Sequence, residues 1–312
     1  MVVRCRKQLS SARAGLFVNL RTLILLACVF VSPSDLLAED PLIKECDRLA
    51  ANPGDKSATT EGIVWNDLDP DLAIKACTAA TAKFPKNLRI EYQLARAFLK
   101  RDLTHIKPMS AVAEKGYAQA QYRLGAWYHG EALISDIGEA FKWYKLAADQ
   151  GYSPGQYALG EYYHKFWPKQ QDKAVKWFRL AADQGNTYAQ TKIGDIYTGF
   201  RPNTGISFRN LMEWETARKD IEDLTKAAKW YRLAAEQGNA YGRLKLGEMY
   251  RYGKGVEKDT KEAIKWLRLV SETNLALAFY AIEHLGDIYY FGNGIKTDFE
   301  KALKWYQLAA EK

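Results

Sequence analysis

The sequence predicts an all-α protein, a right-handed α-solenoid of antiparallel helix pairs, and three observations carry that prediction. A ten-residue phrase recurs: KWYKLAADQG at 142–151, KWFRLAADQG at 176–185 and KWYRLAAEQG at 229–238, with a worn copy, KWLRLVSETN, at 265–274 and a last one, KWYQLAAEK, at 304–312. Ahead of each phrase stands a pair, Leu124-Gly125, Leu159-Gly160, Ile193-Gly194, Leu246-Gly247 and Leu285-Gly286. Glycines suited to a left-handed helix stop recur at Gly116, Gly151, Gly185 and Gly238, spaced by 35, 34 and 53 residues. A period in this range is the mark of stacked helical repeats.

The 312 residues exceed a single bundle, and 47% hydrophobic with 13% aromatic content supplies an extended core. Residues 1–38 carry Arg4, Arg6, Lys7, Arg13 and Arg21 against Asp35, which is half of the net charge of +8. With an apolar run from Thr22 to Val31, breakers at Ser32 and Pro33, and Ala38 before Glu39, this stretch reads as a secretory signal peptide. The run is shorter than the roughly 20 residues a permanent span needs. Cleavage after Ala38 gives an exported, periplasmic protein with no transmembrane span. Leu25-Leu26-Ala27-Cys28 resembles a bacterial lipobox, so a lipoprotein anchored through Cys28 is the alternative. Export and the modest remaining charge argue against nucleic acid as a partner.

Processing leaves Cys46 and Cys77, an even pair in an oxidising compartment, for which a disulfide is the default and two buried thiols the alternative. Residues 42–51 place Leu42, Cys46 and Leu49 at helical spacing. After a polar loop with one hydrophobic knot, Ile63-Val64-Trp65, Pro70 suits the first turn of a helix that Pro85 stops beyond Phe84. A partner helix from Leu88 to Lys100 has Ile90, Leu94, Ala97 and Phe98 on one face. This stretch, AIKACTAATAKFPKN with LARAFLK, resembles a tetratricopeptide helix pair. The disulfide would then pin the first helix onto the pair and close one end of the stack, the sealing that terminal repeats need. The expected organisation is a leader at 1–38, this cap at 39–108 and repeats at 109–312.

Within each repeat a tyrosine follows the Leu or Ile by four residues, at Tyr128, Tyr163, Tyr197, Tyr250 and Tyr289. A small residue precedes it by four, at Ala120, Gly155, Ala189, Gly242 and Ala281. All three lie on one helix face, and the small residue admits a neighbouring helix. In the second helix Ala140, Trp143, Tyr144 and Ala147 form an i, i+3, i+4, i+7 stripe. Neither helix of a pair can bury both faces alone, so neighbours stack.

Leu-Gly, Tyr, Gly-x-Gly, Asp, Ala-x-x-Trp-Tyr and Ala-Ala-x-x-Gly together resemble the Sel1-like repeat of exported bacterial type, a relative of the tetratricopeptide repeat. The clearest copies are LGEMYRYGKGVEKDTKEAIKWLRL at 246–269 and LGDIYYFGNGIKTDFEKALKWYQLAA at 285–310, and the likeness covers about 110–312 in five units. In these copies Gly253 and Gly255, or Gly292 and Gly294, permit a tight reversal, and Asp259 or Asp298 caps the next helix. Asp259 with Glu262 fits a capping box. The first two units read HGEALISD and HKFWPKQQD at that turn and should differ in shape. In the third, 37 residues separate Ile193 from Trp230 where other units have 18 to 20. The insertion at about 199–225 keeps Phe208, Leu211 and Met212 in helical register beside Trp214. It reads as an elongated second helix, whose apolar residues either meet a partner or cover a neighbour.

Chemistry is scarce. His129 and His164 are one repeat apart, in a column that continues as Thr198, Arg251 and Tyr290; a variable column is a surface position, not a metal site. No order of residues suggests a catalytic triad or nucleophile, and Gly253-Lys254-Gly255 lacks the strand and longer glycine pattern of a phosphate cradle. No cofactor, metal or catalytic residue is expected. Lys142, Lys176, Lys229, Lys265 and Lys304, with Lys145, Arg179, Arg232 and Arg268, make a basic stripe on the second helices. Glu161, Asp195, Glu248 and Asp287, with Ala126 in the first unit, make an acidic column on the leading helices. These are either solvated faces or the two sides of the solenoid, acidic inside and basic outside.

The resemblance implies a non-catalytic adaptor that binds a protein or peptide in its groove. The residues that the scaffold does not dictate, His129, His164, Thr198, Arg251 and Tyr290, stand beside the acidic column as the contact set. An envelope binder of glycans or peptidoglycan fragments, stacking on Tyr162, Trp167 and Tyr290, is the alternative. A cell-wall-active enzyme ranks lower because the cysteine pairs of such relatives are missing from units one to five. Self-association through the end that carries the last phrase completes the expectations.

Overall fold

A computed structural model describes residues 40–53, 63–131, 135–167, 170–199, 215–273, 276–292 and 294–311. The leader with Cys28, and Phe208, Leu211, Met212 and Trp214 of the insertion, lie outside the described residues. All regular elements among the described residues are helical, as an α-solenoid requires. They form two compact units that divide between Lys100 and Arg101.

The first unit holds α1 (Pro41–Ala50), a 3-10 turn (Trp65–Asp67), α2 (Pro70–Lys83) and α3 (Leu88–Arg101). Both α1 and α2 start with Asp-Pro: Asp40 accepts from the Leu42 amide and Asp69 from Asp71 and Leu72, while proline occupies a first-turn position whose N–H would be unpaired. The core gathers Ile43, Cys46, Ala50, Leu68, Ala73, Cys77, Ala80, Ile90 and Ala97. Cys46 and Cys77 form the disulfide, with Cα atoms 4.7 Å apart and both residues fully buried. The periodicity misplaces the α1 face slightly: Leu42 and Leu49 are half-buried, and Ile43, Cys46, Asp47 and Ala50 go inside.

Asp47 is buried because α3 brings it partners. Gln93 donates to its Oδ1 at 2.8 Å and Arg89 pairs with the same oxygen. Arg96, 3% exposed, donates to the carbonyls of Ala50 and Ala51 at 2.9 Å and of Ile63 at 2.6 Å. It thereby satisfies the open C-terminal end of α1, where unpaired carbonyls would be costly to bury.

The second unit begins with α4 (Lys107–Glu114) and continues in helix pairs: α5 (Ala118–Ala126) with α6 (Ile137–Asp149), α7 (Ser153–Phe166) with α8 (Gln171–Asp183), α9 (Thr187–Tyr197) with α10 (Glu215–Glu236), α11 (Ala240–Tyr252) with α12 (Thr260–Ser271), and α13 (Leu277–Phe291) with α14 (Phe299–Glu311). The elongated second helix expected from the insertion is α10, 22 residues long where its counterparts have 12 or 13.

The residue after each Trp, more than the Trp, fills the core. Tyr144, Phe178, Tyr231 and Leu267 are buried, and the tryptophans are half-buried. Each lies on the glycine of the preceding Leu-Gly or Ile-Gly pair; a Cβ on Gly194 would stand 2.6 Å from the Tyr231 ring and one on Gly286 2.5 Å from Tyr306. The small-residue column works between repeats, since a Cβ on Gly155 would meet that of Ala147 at 2.8 Å.

A glutamine relay, absent from the expectations, ties three consecutive helices together. Gln121, Gln156 and Gln190 donate to the carbonyls of Ala113, Ala148 and Ala182 on the helix before. Each accepts in turn from the glutamine that ends its own second helix, Gln150, Gln184 and Gln237, at 2.6, 2.7 and 3.0 Å. Buried amides must be paired, so the relay fixes the stacking register as well as adding bonds.

The turns differ as their sequences imply. α11 and α13 end on left-handed Gly253 and Gly292, whereas α5 runs into a π-helical turn, Trp127–Glu131. All three turns nevertheless close alike, with the amide of Asp136, Asp259 or Asp298 on the carbonyl of Tyr128, Tyr250 or Tyr289. That bond occupies the Asp259 amide, so the capping box is half made. Asp259 accepts from the Glu262 amide, while the Glu262 carboxylate takes Lys265 and the Trp266 indole.

Candidate groove of the leading helices

Leading helices of neighbouring repeats touch directly, α5 with α7, α9 with α11 and α11 with α13, and side chains bridge α7 to α9, Tyr157 to Tyr188 and Glu161 to Lys192, so they form one continuous face. A groove of ≈ 850 Å³ crosses them from Tyr157 of α7, past Tyr188, Lys192 and Asp195 of α9, to Tyr241 of α11 and Leu277 of α13. Its walls mix aromatic rings, threonines and side-chain amides. Tyr188 is 65% exposed and stacks obliquely on Tyr157 at 6.1 Å.

Asp195 forms the buried floor. The hydroxyls of Tyr231 and Tyr241 both donate to its Oδ1, at 2.7 and 3.0 Å. Burial raises its pKa above 3.8, against the opposing pull of those two hydrogen bonds. Burial also pushes both phenols up, with the Asp195 charge adding to it. A carboxyl whose folded-state pKa is raised contributes stability that is complete below the ordinary value and is lost as pH rises through the shifted one. Asp195→Asn keeps an acceptor for both tyrosines and removes the charge. In thermal unfolding the variant should therefore gain on wild type between about pH 3.5 and pH 7. A difference that stays constant over that range would refute the assignment.

The remaining contact candidates do not converge on this groove. His129 is exposed, edge-on to Tyr144 and Tyr162 at 6.3 and 6.0 Å, and shares a second cavity of ≈ 280 Å³ with Glu161. His164 is half-buried beside Phe178. Thr198 donates to the Asp195 carbonyl and shares a third cavity, ≈ 230 Å³, with Glu248. Tyr290 is exposed against Phe291 and Phe299. Arg251 departs from a surface column. It is 6% exposed, because the next leading helix presents Asp287 to its Nη2 at 2.9 Å and His284 to its Nη1 at 2.7 Å. Tyr162, 2% exposed and enclosed by Phe141, Phe166 and Trp167, offers no stacking platform.

Neither charge column is a bare field. Lys192 approaches Glu161 to 3.2 Å, Lys245 pairs with Glu248 at 2.9 Å, and His284 stands 3.4 Å from Glu248. Burial works to raise Glu248, but the His284 hydrogen bond and the Lys245 charge together hold it below its ordinary value. On the second helices Arg179, Arg232 and Arg268 donate to the hydroxyls of Tyr197, Tyr250 and Tyr289 in the following repeat. The basic stripe is thus in part an inter-repeat bond, not an outer face waiting for an acid. Among the described residues no group of three or more His, Cys, Asp or Glu is placed to hold a metal, and no helix is long and apolar enough to cross a membrane.

A model of the Sel1 repeat matches residues 118–152, 153–186, 219–239, 240–272 and 279–312, half of the chain. The chain belongs to the Sel1 repeat family. Four of the five matched Sel1 units hold a leading helix and its partner; the third begins inside α10, because the insertion separates that helix from α9. The fold is similar to that of c5321, a protective antigen present in uropathogenic Escherichia coli strains displaying an SLR fold. Identity is 24% and the TM-score 0.64, covering 95% of this chain and 56% of the antigen, so the chain spans little more than half of that protein. It is also similar to a Sel1 repeat protein from Oxalobacter formigenes, with 24% identity, a TM-score of 0.57, and coverage of 78% and 93%. Sel1 repeat proteins generally act as protein-interaction scaffolds.

Within this Sel1 solenoid the residues missed from sequence are the cations one place before each Leu or Ile: Arg123, Lys192, Lys245 and His284, with Ala158 in the second unit. Aligning the repeats on that position would have shown them. Their role needed the stacking, since Lys192 and His284 answer acids of the repeat before their own.

Proposed function

We propose that the chain is an exported, non-catalytic scaffold that holds a protein or peptide partner along its leading helices. The groove across α7, α9, α11 and α13 carries this reading: it crosses several repeats, and it offers exposed Tyr188 beside hydroxyl and amide groups suited to a polypeptide backbone. The signal-like leader and the Cys46–Cys77 disulfide support export to an oxidising compartment, the periplasm. Of the contact candidates Asp195 lines this groove, while Glu161, Glu248, His129 and Thr198 line its smaller neighbours. A photo-crosslinking residue at Tyr188 should capture a partner in the native envelope, and one at Lys229 on a second helix should not. Equal adducts at both positions, or none at Tyr188, would remove the groove from consideration.

A further inference from the structure

The cavity between the first two repeats and the one between the third and fourth are built from matching positions. His129 corresponds to Thr198, Tyr144 to Tyr231, Ala158 to Lys245, Glu161 to Glu248 and Tyr162 to Met249. In the later cavity, ≈ 230 Å³, the Lys245 ammonium lies against Glu248 at 2.9 Å. The earlier cavity, ≈ 280 Å³, keeps the glutamate, but the lysine position is Ala158.

From this comparison we propose that the cavity between the first two repeats binds an alkylammonium group, the lysine-type side chain of a partner polypeptide, in the place that Lys245 fills for itself two repeats later. Two features of the earlier cavity suit a cation. Rings of Tyr122, Tyr144, Tyr157, Tyr162 and Phe166 line it, and aromatic walls attract a desolvated ammonium. The Glu161 side chain is 37% exposed although its Oε1 is buried toward Lys192, which leaves Oε2 as its open oxygen. One cation already lines the cavity, Lys165, with its ammonium 5.2 Å from the centre of the Phe166 ring. Its presence does not bar a second: in the later cavity Lys254 stands over Tyr252 at 5.5 Å and coexists with the Lys245 ammonium. The site adjoins the groove through Tyr157, which lines both, and its affinity for an ammonium does not depend on the groove being occupied.

The test is a titration of the full chain with n-butylammonium, and with n-butanol as a neutral control, followed by the NMR signals of the tyrosine rings and His129. Saturable binding of the ammonium is expected, at least about tenfold tighter than any binding of the alcohol. Glu161→Gln should weaken it by about tenfold, and Ala158→Lys, which restores the residue of the fourth repeat, should abolish it without changing the melting temperature materially. Equal binding of butanol would show an apolar pocket and overturn the proposal, as would absence of saturable binding or undiminished binding by Glu161→Gln. Should Ala158→Lys fail to fold, the Glu161→Gln comparison still decides. Butylammonium binding without crosslinks from Tyr188 would leave this site standing and the groove reading refuted.

Discussion

Replacing Gly255 with alanine should destabilise the fourth repeat by about 3 kcal/mol, counting a left-handed penalty of about 1–2 kcal/mol and an overpacking penalty of similar size. The residue has φ +68°, and a Cβ built on it would lie 2.2 Å from the Leu224 carbonyl oxygen of α10 and 2.8 Å from the Thr225 amide nitrogen. Those neighbours are backbone and cannot turn aside. Gly116 is the control: its φ of +91° is equally left-handed but nothing lies within 4 Å, so Gly116→Ala should cost about 1 kcal/mol. Urea denaturation combined with hydrogen exchange of α10 and α11 would measure both. Local probes are needed because repeat arrays lose stability unit by unit. Comparable losses for the two variants would show that backbone conformation alone, and not the contact with α10, makes Gly255 a glycine.

Removing the Cys46–Cys77 disulfide should cost the first unit about 3.7 kcal/mol in the chain-entropy view. The bridge closes a sequence separation of 31 residues and joins α1 to α2. A double Cys46→Ala, Cys77→Ala variant, or wild type held in reductant, should lose exchange protection in α1 first. α1 is only 10 residues long, and what else holds it includes a small apolar face, the Asp47 and Arg96 bonds with α3 and the exposed Asp40–Lys83 pair with α2. Unchanged protection under reducing conditions would mean that these bonds suffice and that the disulfide is dispensable for the first unit.

Much of the architecture was legible because each repeat obeys short-range rules. The helix start at Asp259 and the reversals at Gly253 and Gly292 follow from groups that bond within a few residues. The candidate site was less legible. The acidic column on the leading helices was visible, but its charges are answered from the neighbouring repeat, as Glu161 is by Lys192 and Glu248 by His284. Arg251 occupies a position that varies like a surface column, and it is buried because the next helix brings Asp287 and His284 to it. The two matched cavities share positions that a repeat alignment can list, but that Ala158 leaves space beside Glu161 is a fact of packing.

By itself the sequence determined the helix pairs, their period and the glycine turns, since periodicity and local hydrogen bonding act over a single turn or a single loop, and it made the Cys46–Cys77 bond the default reading. Only the tertiary structure decided which charged columns are spent between repeats, which tyrosines are enclosed and which face remains open as a groove. Those outcomes depend on how one repeat sits on the next, and stacking brings together groups that lie more than 30 residues apart in the chain, such as Glu161 with Lys192 and Arg251 with Asp287.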